Sequence, residues 1–307
     1  MNFTLHQLQV FLKVAQLKSI TKAAEELCLS QPAVSIQLRN FQNQFEVPLL
    51  EIVGRKVYIT EFGEETARGA GRILAEVRNI SMQAKALKGA LSGTLRISVV
   101  STGKYVMPFF LPGFLKEHPS IELDLDVTNK AHVVTHLERN EVDFALVSIL
   151  PEKPALEALP LMDNKLYLVA GGQPQFPKKL YDHRILADLS LILREEGSAT
   201  RLVAERYLRQ NGVAVGRKLE LTSNEAVKQA ILAGLGCSIM PIIGLQSELE
   251  KGDLKIIPLK GFPIVSTWNL VWPRSKQHSP VAAAYLQYVA SHREQIIHDR
   301  FSWFQSY

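Results

Sequence analysis

The feature that most constrains this chain is a change of periodicity near Gly89 and Gly93. Before it, apolar residues recur at helical spacing. After it, short strand-like runs alternate with helical stretches, the mark of an α/β sheet. The 307 residues exceed what one hydrophobic core usually organises, so two or three domains are expected. In the helical part, Leu8, Phe11, Leu12 and Ala15 share one face of a first helix. Ser19 can cap a second helix, Thr21 to Leu27, because a serine oxygen accepts a backbone N–H left unpaired at a helix start. Ser30 is the next such cap, with Pro32 in the first turn and a third helix through Ala33, Val34, Leu38 and Phe41. The tight Cys28-Leu29 turn between them makes a helix-turn-helix candidate. Two short strands follow, Pro48 to Glu51 and Lys56 to Thr60, about a turn at Gly54-Arg55, and read as a wing.

From Phe62 to about Leu87 the chain reads as one long helix. Ala70, Ile73, Val77, Ile80, Ala84 and Leu87 alternate at spacings of three and four, a heptad seam that buries itself best against a second copy. Beyond Gly93, strands are expected at Thr94–Val100, Ile121–Val127, Asp143–Val147, Lys165–Ala170, Leu191–Leu193, Lys218–Leu221, Lys255–Pro258 and Thr267–Trp272. Helices are expected at Thr200–Gln210, Asn224–Leu235 and Val281–Ser291. Eight strands are many for one sheet of this length, so two sub-domains are expected, with a ligand at the carboxyl ends of the strands.

Charge adds a partner class. The net charge is +5, of which residues 1–90 carry +3, so the basic excess per residue is higher in the first third and permits a polyanionic partner. The longest apolar run, Ile231 to Leu245, contains Gly234, Gly236, Pro241 and Gly244 and is too short for a membrane span. The N-terminus lacks an export pattern, and Cys28 and Cys237 form no spaced motif, which suits a reducing cytoplasm.

Several catalytic or metal readings fail on spacing. His132 and His136 have the i, i+4 spacing of a helical zinc site but lack a third ligand nearby, so no metal is expected. Ser198 lies in Gly-Ser-Ala-Thr, outside any nucleophile elbow, and Gly234-Leu235-Gly236 ends a helix instead of opening one, which disfavours a dinucleotide cofactor. Cys237 reads as a buried free thiol. No enzyme activity and no cofactor are expected.

Ser19 to Leu27, Ser30 to Ser35, Val47 to Glu51 and Gly54 to Gly63 together resemble the winged helix of LysR-type transcriptional regulators. Glu195-Glu196-Gly197-Ser198-Ala199-Thr200-Arg201 and Ser223 to Gly236, closed by Pro241, resemble the same family's effector domain. The resemblance implies an α/β protein in three parts. A winged helix-turn-helix DNA-binding domain occupies 1–61, a linker and dimerisation helix 62–90, and an effector domain 91–307. The last resembles periplasmic binding proteins, with Rossmann-like halves 92–163 plus 267–307 and 164–266. It further implies promoter DNA, RNA polymerase and further copies of the chain as partners, as a homodimer and a homotetramer.

A helix in the major groove presents its N-terminal side chains to base edges. Gln31 can pair with adenine, Pro32 and Ala33 can touch a thymine methyl, and Ser35 and Arg39 can reach bases or phosphates, with Ser30 beside them. The family's wing contact falls on Arg55, with Lys56 next to it, and implies minor-groove entry. Ile36 and Ile52 depart from arginines usual in the family, and fewer cations flatten the salt dependence of binding.

For a small anionic effector, hydroxyls and an ammonium at helix starts are the candidates: Ser101, Thr102 and Lys104, Ser198 and Thr200, Thr222 and Asn224, with Thr128, Asn129 and Ser148 at the rim. Val99 to Tyr105, Val127-Thr128-Asn129 and Asn140 to Asp143 resemble the branch of the family that regulates carbon-dioxide-fixation (RuBisCO) operons. That narrower likeness implies a phosphorylated metabolite or a nicotinamide nucleotide as effector, while donors at helix starts suit a carboxylate as well.

Overall fold

The computed structural model describes residues 2–54, 56–86, 91–172 and 179–307, with the backbone alone at 78, 79 and 81–86. It contains two compact units, residues 1–92 with 138–141, and residues 93–137 with 142–307.

In the first unit, α1 (Leu5–Leu17) opens with a capping box in which Thr4 and Gln7 satisfy each other's backbone N–H. The second helix, α2 (Ile20–Glu26), is capped by Ser19, and α3 (Gln31–Gln42) by Ser30, each serine oxygen accepting an N–H three residues on at 3.3 Å. Between α2 and α3, Cys28 takes a left-handed conformation at φ +54°. The Cys28 N–H donates to the Glu25 carbonyl and the Leu29 N–H to the Ala24 carbonyl. That pair of bonds is the turn that stops a helix and redirects the chain, and its left-handed residue is most often glycine. Phe11, Val14, Val34 and Phe41 are fully buried in the core of this unit. The wing is an antiparallel pair, β1 (Leu50–Val53) and β2 (Lys56–Ile59), in register Leu50 opposite Ile59.

The long helix α4 spans Glu61–Ala86. Its expected seam divides. Ala70 is 1% exposed and packs, with Ala67 and Leu74, into the core of its own unit, so it is not a seam residue. Ile73 and Ile80 are 43% and 60% exposed and carry the outward stripe instead. Ala84 and Leu87 lie outside the described side chains.

The second unit is built twice on one plan. Strands β3 (Gly93–Val100), β4 (Ile121–Thr128) and β5 (Phe144–Val147) are parallel with β3 in the middle. Strands β7 (Ser190–Arg194), β8 (Arg217–Leu221) and β9 (Cys237–Pro241) repeat this with β7 in the middle. Between the triplets run two antiparallel strands, β6 (Leu156–Gly171) and β11 (Ile264–Pro273), and β10 (Leu254–Ile257) adds to the end of β6. The path β4-β3-β5-β11-β6-β9-β7-β8 is therefore one hydrogen-bonded sheet carrying two halves, because β6 and β11 are long enough to serve both. Pro160 is accommodated within β6 because the register shifts opposite it, between Trp268 and Asn269, and a bulge needs no N–H there.

Helices cover the sheet: α5 (Pro112–Glu117), α6 (Lys130–Glu138), α7 (Ala199–Gln210), α8 (Asn224–Leu232), α9 (Gln246–Lys251) and α10 (Pro280–Gln305). After α8, Gly234 at φ +78° makes the same two bonds as Cys28, from Gly234 to Ile231 and from Leu235 to Ala230, so the glycine pair is a helix stop. The strand β9 lies inside the apolar run 231–245, where no strand was expected; its five residues are all buried between β6 and β7. The last helix is also longer than expected, running to Gln305 because Phe301 and Phe304 bury its far end.

Candidate functional site

The parallel strands of both halves end at one place. Ser101 follows β3, Asn129 follows β4, and Arg194 is the last residue of β7. From there α6 begins at Lys130 and α7 at Ala199, so two helix starts carry free N–H groups and partial positive charge to the same spot. These residues enclose a cavity of about 10 Å³, room for one water, lined also by Thr102, Glu195, Ser198 and Thr200. It adjoins a larger one of about 560 Å³ between α6 and α7, which shares Lys130 and Ser198 and is walled by Val134, Arg201 and Leu202. Pockets of a few hundred cubic ångströms are the size that holds small metabolites.

The charge at the floor is Arg194, whose side chain is 3% exposed. Its Nε and Nη2 donate to both carboxylate oxygens of Glu195 at 2.7 Å, Nη1 donates to Ser101 Oγ at 3.1 Å, and Nη2 reaches the Thr222 carbonyl at 3.4 Å. A planar guanidinium with several fixed donors suits carboxylate and phosphate alike. The sequence alone ended this strand at Leu193 and left Arg194 unassigned. A lone arginine beside two glutamates reads as surface charge, and only the fold shows it buried.

The serine caps separate into two kinds. Ser223 accepts the Ala226 N–H at 3.1 Å and is an ordinary cap. Ser198 is 7% exposed at the start of α7 and makes no capping bond, so its hydroxyl stays available to the cavity. Asn224 is 4% exposed; its Nδ2 reaches Ser101 Oγ at 3.5 Å, while Oδ1 has no partner. Ser101 Oγ thus already accepts from two donors and keeps its own O–H to give.

Of the expected effector residues, Ser101, Thr102, Asn129, Ser198 and Thr200 line the small cavity, and Asn224 backs it. Thr128, Ser148, Thr222 and Lys104 are not among its lining. Thr128 Oγ1 lies 3.1 Å from His132 Nδ1, Ser148 is buried, and Thr222 contributes its carbonyl to Arg194. Lys104 Nζ sits 5.0 Å from the Tyr105 ring centre, a cation over an aromatic face. The neighbouring Tyr105 hydroxyl donates to Glu225 at 3.3 Å, and burial raises its pKa, with the Glu225 charge adding to the effect. His136 Nδ1 lies 3.1 Å from Ser98 Oγ, so both histidines of the zinc-like pair have hydroxyl partners. Among the described residues no cluster of His, Cys, Asp or Glu could hold a metal.

In the first unit, Gln31, Pro32, Ile36, Arg39 and Asn40 are exposed on α3, Ala33 and Ser35 are half-buried, and Val34, Leu38 and Phe41 hold the opposite face to the core. The Ser30 hydroxyl is occupied as a cap, and Lys56 is exposed at the start of β2. Arg55 lies outside the described residues.

A winged helix-turn-helix followed by a long helix and a doubled α/β domain with an anion-friendly cleft defines a ligand-responsive DNA-binding regulator. Residues 5–64 match the model of the bacterial regulatory helix-turn-helix protein, lysR family, and residues 88–294 match the LysR substrate binding domain. The chain belongs to the LysR family of transcriptional regulators. It is 38% identical over 292 residues to the RuBisCO operon transcriptional regulator of Allochromatium vinosum, covering 95% of this chain and 97% of that one. Among solved structures, it is similar to the Synechocystis PCC6803 CcmR regulatory domain in complex with 2-PG, at 36% identity and a TM-score of 0.62 over 65% of this chain and 97% of that domain. Full-length CbnR complexed with its target DNA shares the fold at 21% identity, with a TM-score of 0.64 over 94% of this chain and 99% of that one. The relatives are named for transcriptional regulation, not for catalysis. No helix among the described residues is long and apolar enough to cross a membrane.

Proposed function

We propose that this regulator senses a small anion bearing a phosphate or carboxylate in the cleft of the second unit and changes how it holds promoter DNA in response. One observation carries the reading: a buried arginine, an uncapped serine and two helix starts converge on one cavity. The anion takes the place of Glu195 on Arg194, with Ser101, Thr102, Asn129, Ser198 and Thr200 supplying further donors and Asn224 supporting Ser101. The 2-PG bound by the CcmR domain and the name of the Allochromatium relative support a phosphorylated metabolite and a carbon-fixation operon.

On DNA, Gln31, Pro32, Ala33, Ser35 and Arg39 of α3, with Ser30 at its cap, face the major groove, and Arg55 and Lys56 of the wing face the neighbouring groove or phosphates. The chain works in the cytoplasm as a homodimer joined through α4, two dimers making a homotetramer that bends DNA beside RNA polymerase, and it needs no cofactor. A ligand shifts such an equilibrium only through unequal affinity for its states. A thermal-shift screen of phosphorylated sugars, nicotinamide nucleotides, 2-PG and small carboxylates tests the cleft, because a ligand of the native state raises its melting temperature. Footprinting with and without the hit tests the response. A Gln31→Ala, Arg55→Ala double variant is expected to lose the footprint. Stabilisation by no anion, or a footprint indifferent to every hit, overturns the reading.

A further inference from the structure

We infer that Ile36 is a base-reading residue: its side chain contacts the C5-methyl group of a thymine in the major groove and makes that position of each half-site thymine-specific. The inference rests on the reading of α3 as the helix that meets DNA. It begins with a misplaced side chain. Ile36 is 56% exposed in the middle of α3, on the face opposite Val34, Leu38 and Phe41, which are 0%, 5% and 0% exposed. Around it on that face stand Pro32 one turn earlier and Arg39 and Asn40 one turn later, all exposed. The core is complete without Ile36, so packing within the unit gives no reason for a large apolar side chain there.

The chemistry of the groove supplies one. Isoleucine has no donor, acceptor or charge, so it can neither neutralise a phosphate nor read a base edge by hydrogen bonding. Among the groups that base pairs present in the major groove, the thymine methyl is the apolar one. Helical side chains lean toward the N-terminus, so Ile36 leans toward Pro32 and the pair forms one apolar strip along the N-terminal half of the exposed face of α3, the part of such a helix that meets base edges. A β-branched side chain has few rotamers to lose in a helix, which keeps the ordering cost of such a contact small. Arg39, one turn further on, is the one cation α3 carries for the backbone beside this strip.

Burying one methyl-sized group is worth about 0.8 kcal/mol, which converts to roughly a fourfold change in affinity. The test uses the full chain and duplexes that it selects from a random-sequence pool. Each thymine of the enriched site is replaced singly by deoxyuridine, which removes the methyl and leaves every hydrogen-bonding group. The expected result is one thymine per half-site at which deoxyuridine weakens the wild type by about fourfold, with the penalty absent in Ile36→Ala and retained in Ile36→Val. Insensitivity of the wild type to every deoxyuridine, or retention by Ile36→Ala of every penalty in full, overturns the inference. Failure to enrich any sequence overturns the DNA-binding reading instead, so the two failures are distinct.

Discussion

Replacing Glu195 by glutamine keeps the shape of the cleft floor and removes its negative charge. In the native protein, Arg194 is 3% exposed and holds both Glu195 oxygens at 2.7 Å, and its other acceptors are a hydroxyl and a carbonyl. Taking one partner from a buried ion pair costs on the order of 3–5 kcal/mol, because the remaining charge is left in a poor solvent. The Glu195 side chain is 21% exposed, so water offsets part of the loss and the low end, about 3 kcal/mol, is the expected cost. For a unit of this size that lowers the melting temperature of the effector unit by roughly 6–12 °C. An added anion then competes for the Arg194 donors with a neutral amide instead of a carboxylate. Inorganic phosphate at about a hundred times its dissociation constant returns roughly 2.7 kcal/mol, most of what was lost. Thermal melts of wild type and Glu195→Gln in chloride and in phosphate, at matched ionic strength, make the comparison. The variant should start lower and gain more from phosphate than the wild type, whose own carboxylate competes. Equal gains in the two proteins, or an unaltered melting temperature, would refute the view of Arg194 as an anion seat held by Glu195.

Four further outcomes are expected. Cys28→Gly should raise the urea midpoint of the helix-turn-helix unit, followed by circular dichroism of the full chain. Relief of left-handed strain of about 1–2 kcal/mol exceeds the added entropy of the unfolded glycine, for a net gain of about 0.5–1 kcal/mol. Burial pushes the Cys237 thiol up to about 12, whereas Cys28 is exposed, so iodoacetamide at pH 8 should label Cys28 and spare Cys237 until the protein unfolds. Because the folded value of Cys237 lies above the unfolded one, its contribution to stability is complete below about pH 8.5 and is lost progressively as pH rises toward the folded value, which melts across the alkaline range will read. Phe41→Ala removes a fully buried ring that meets Phe3, Phe11 and Phe45 at centroid distances of 5.3, 5.1 and 5.1 Å, and should cost about 3–5 kcal/mol. DNA binding at 37 °C should disappear while anion stabilisation of the second unit persists.

The first caps and the turn were legible in the sequence because their signals are local: Ser19 and Ser30 each accept the N–H their spacing promised. Signals that depend on a distant partner were not. Strand β9 was hidden because Cys237 to Pro241 is buried on both sides and shows no alternation, so it reads on from α8 as one apolar stretch. Strand β6 was seen only at its apolar end, since Glu157, Pro160 and Asp163 interrupt the earlier half, where its pairing with β11 decides the conformation. Ala70 fits the heptad arithmetic, yet spacing alone does not say which of two neighbouring cores takes a small residue. In the cleft, hydroxyls at helix starts were found, and four of them, Ser101, Thr102, Ser198 and Thr200, line the cavity together with Asn129, but Arg194 and Glu195 needed three dimensions. A buried charge differs from a surface charge only in what surrounds it.

The two strands common to both halves of the second unit have a mechanical corollary. They are locked side by side from Ile264 opposite Leu166 to Pro273 opposite Leu156, so neither slides without breaking its rungs. Any rocking of one lobe against the other has to flex this paired ribbon, whose regular rungs are interrupted near Pro160. On the proposed reading, a metabolite at the strand tips works against this ribbon and against the bonds from Ser101 to Arg194 and Asn224 that already bridge the halves.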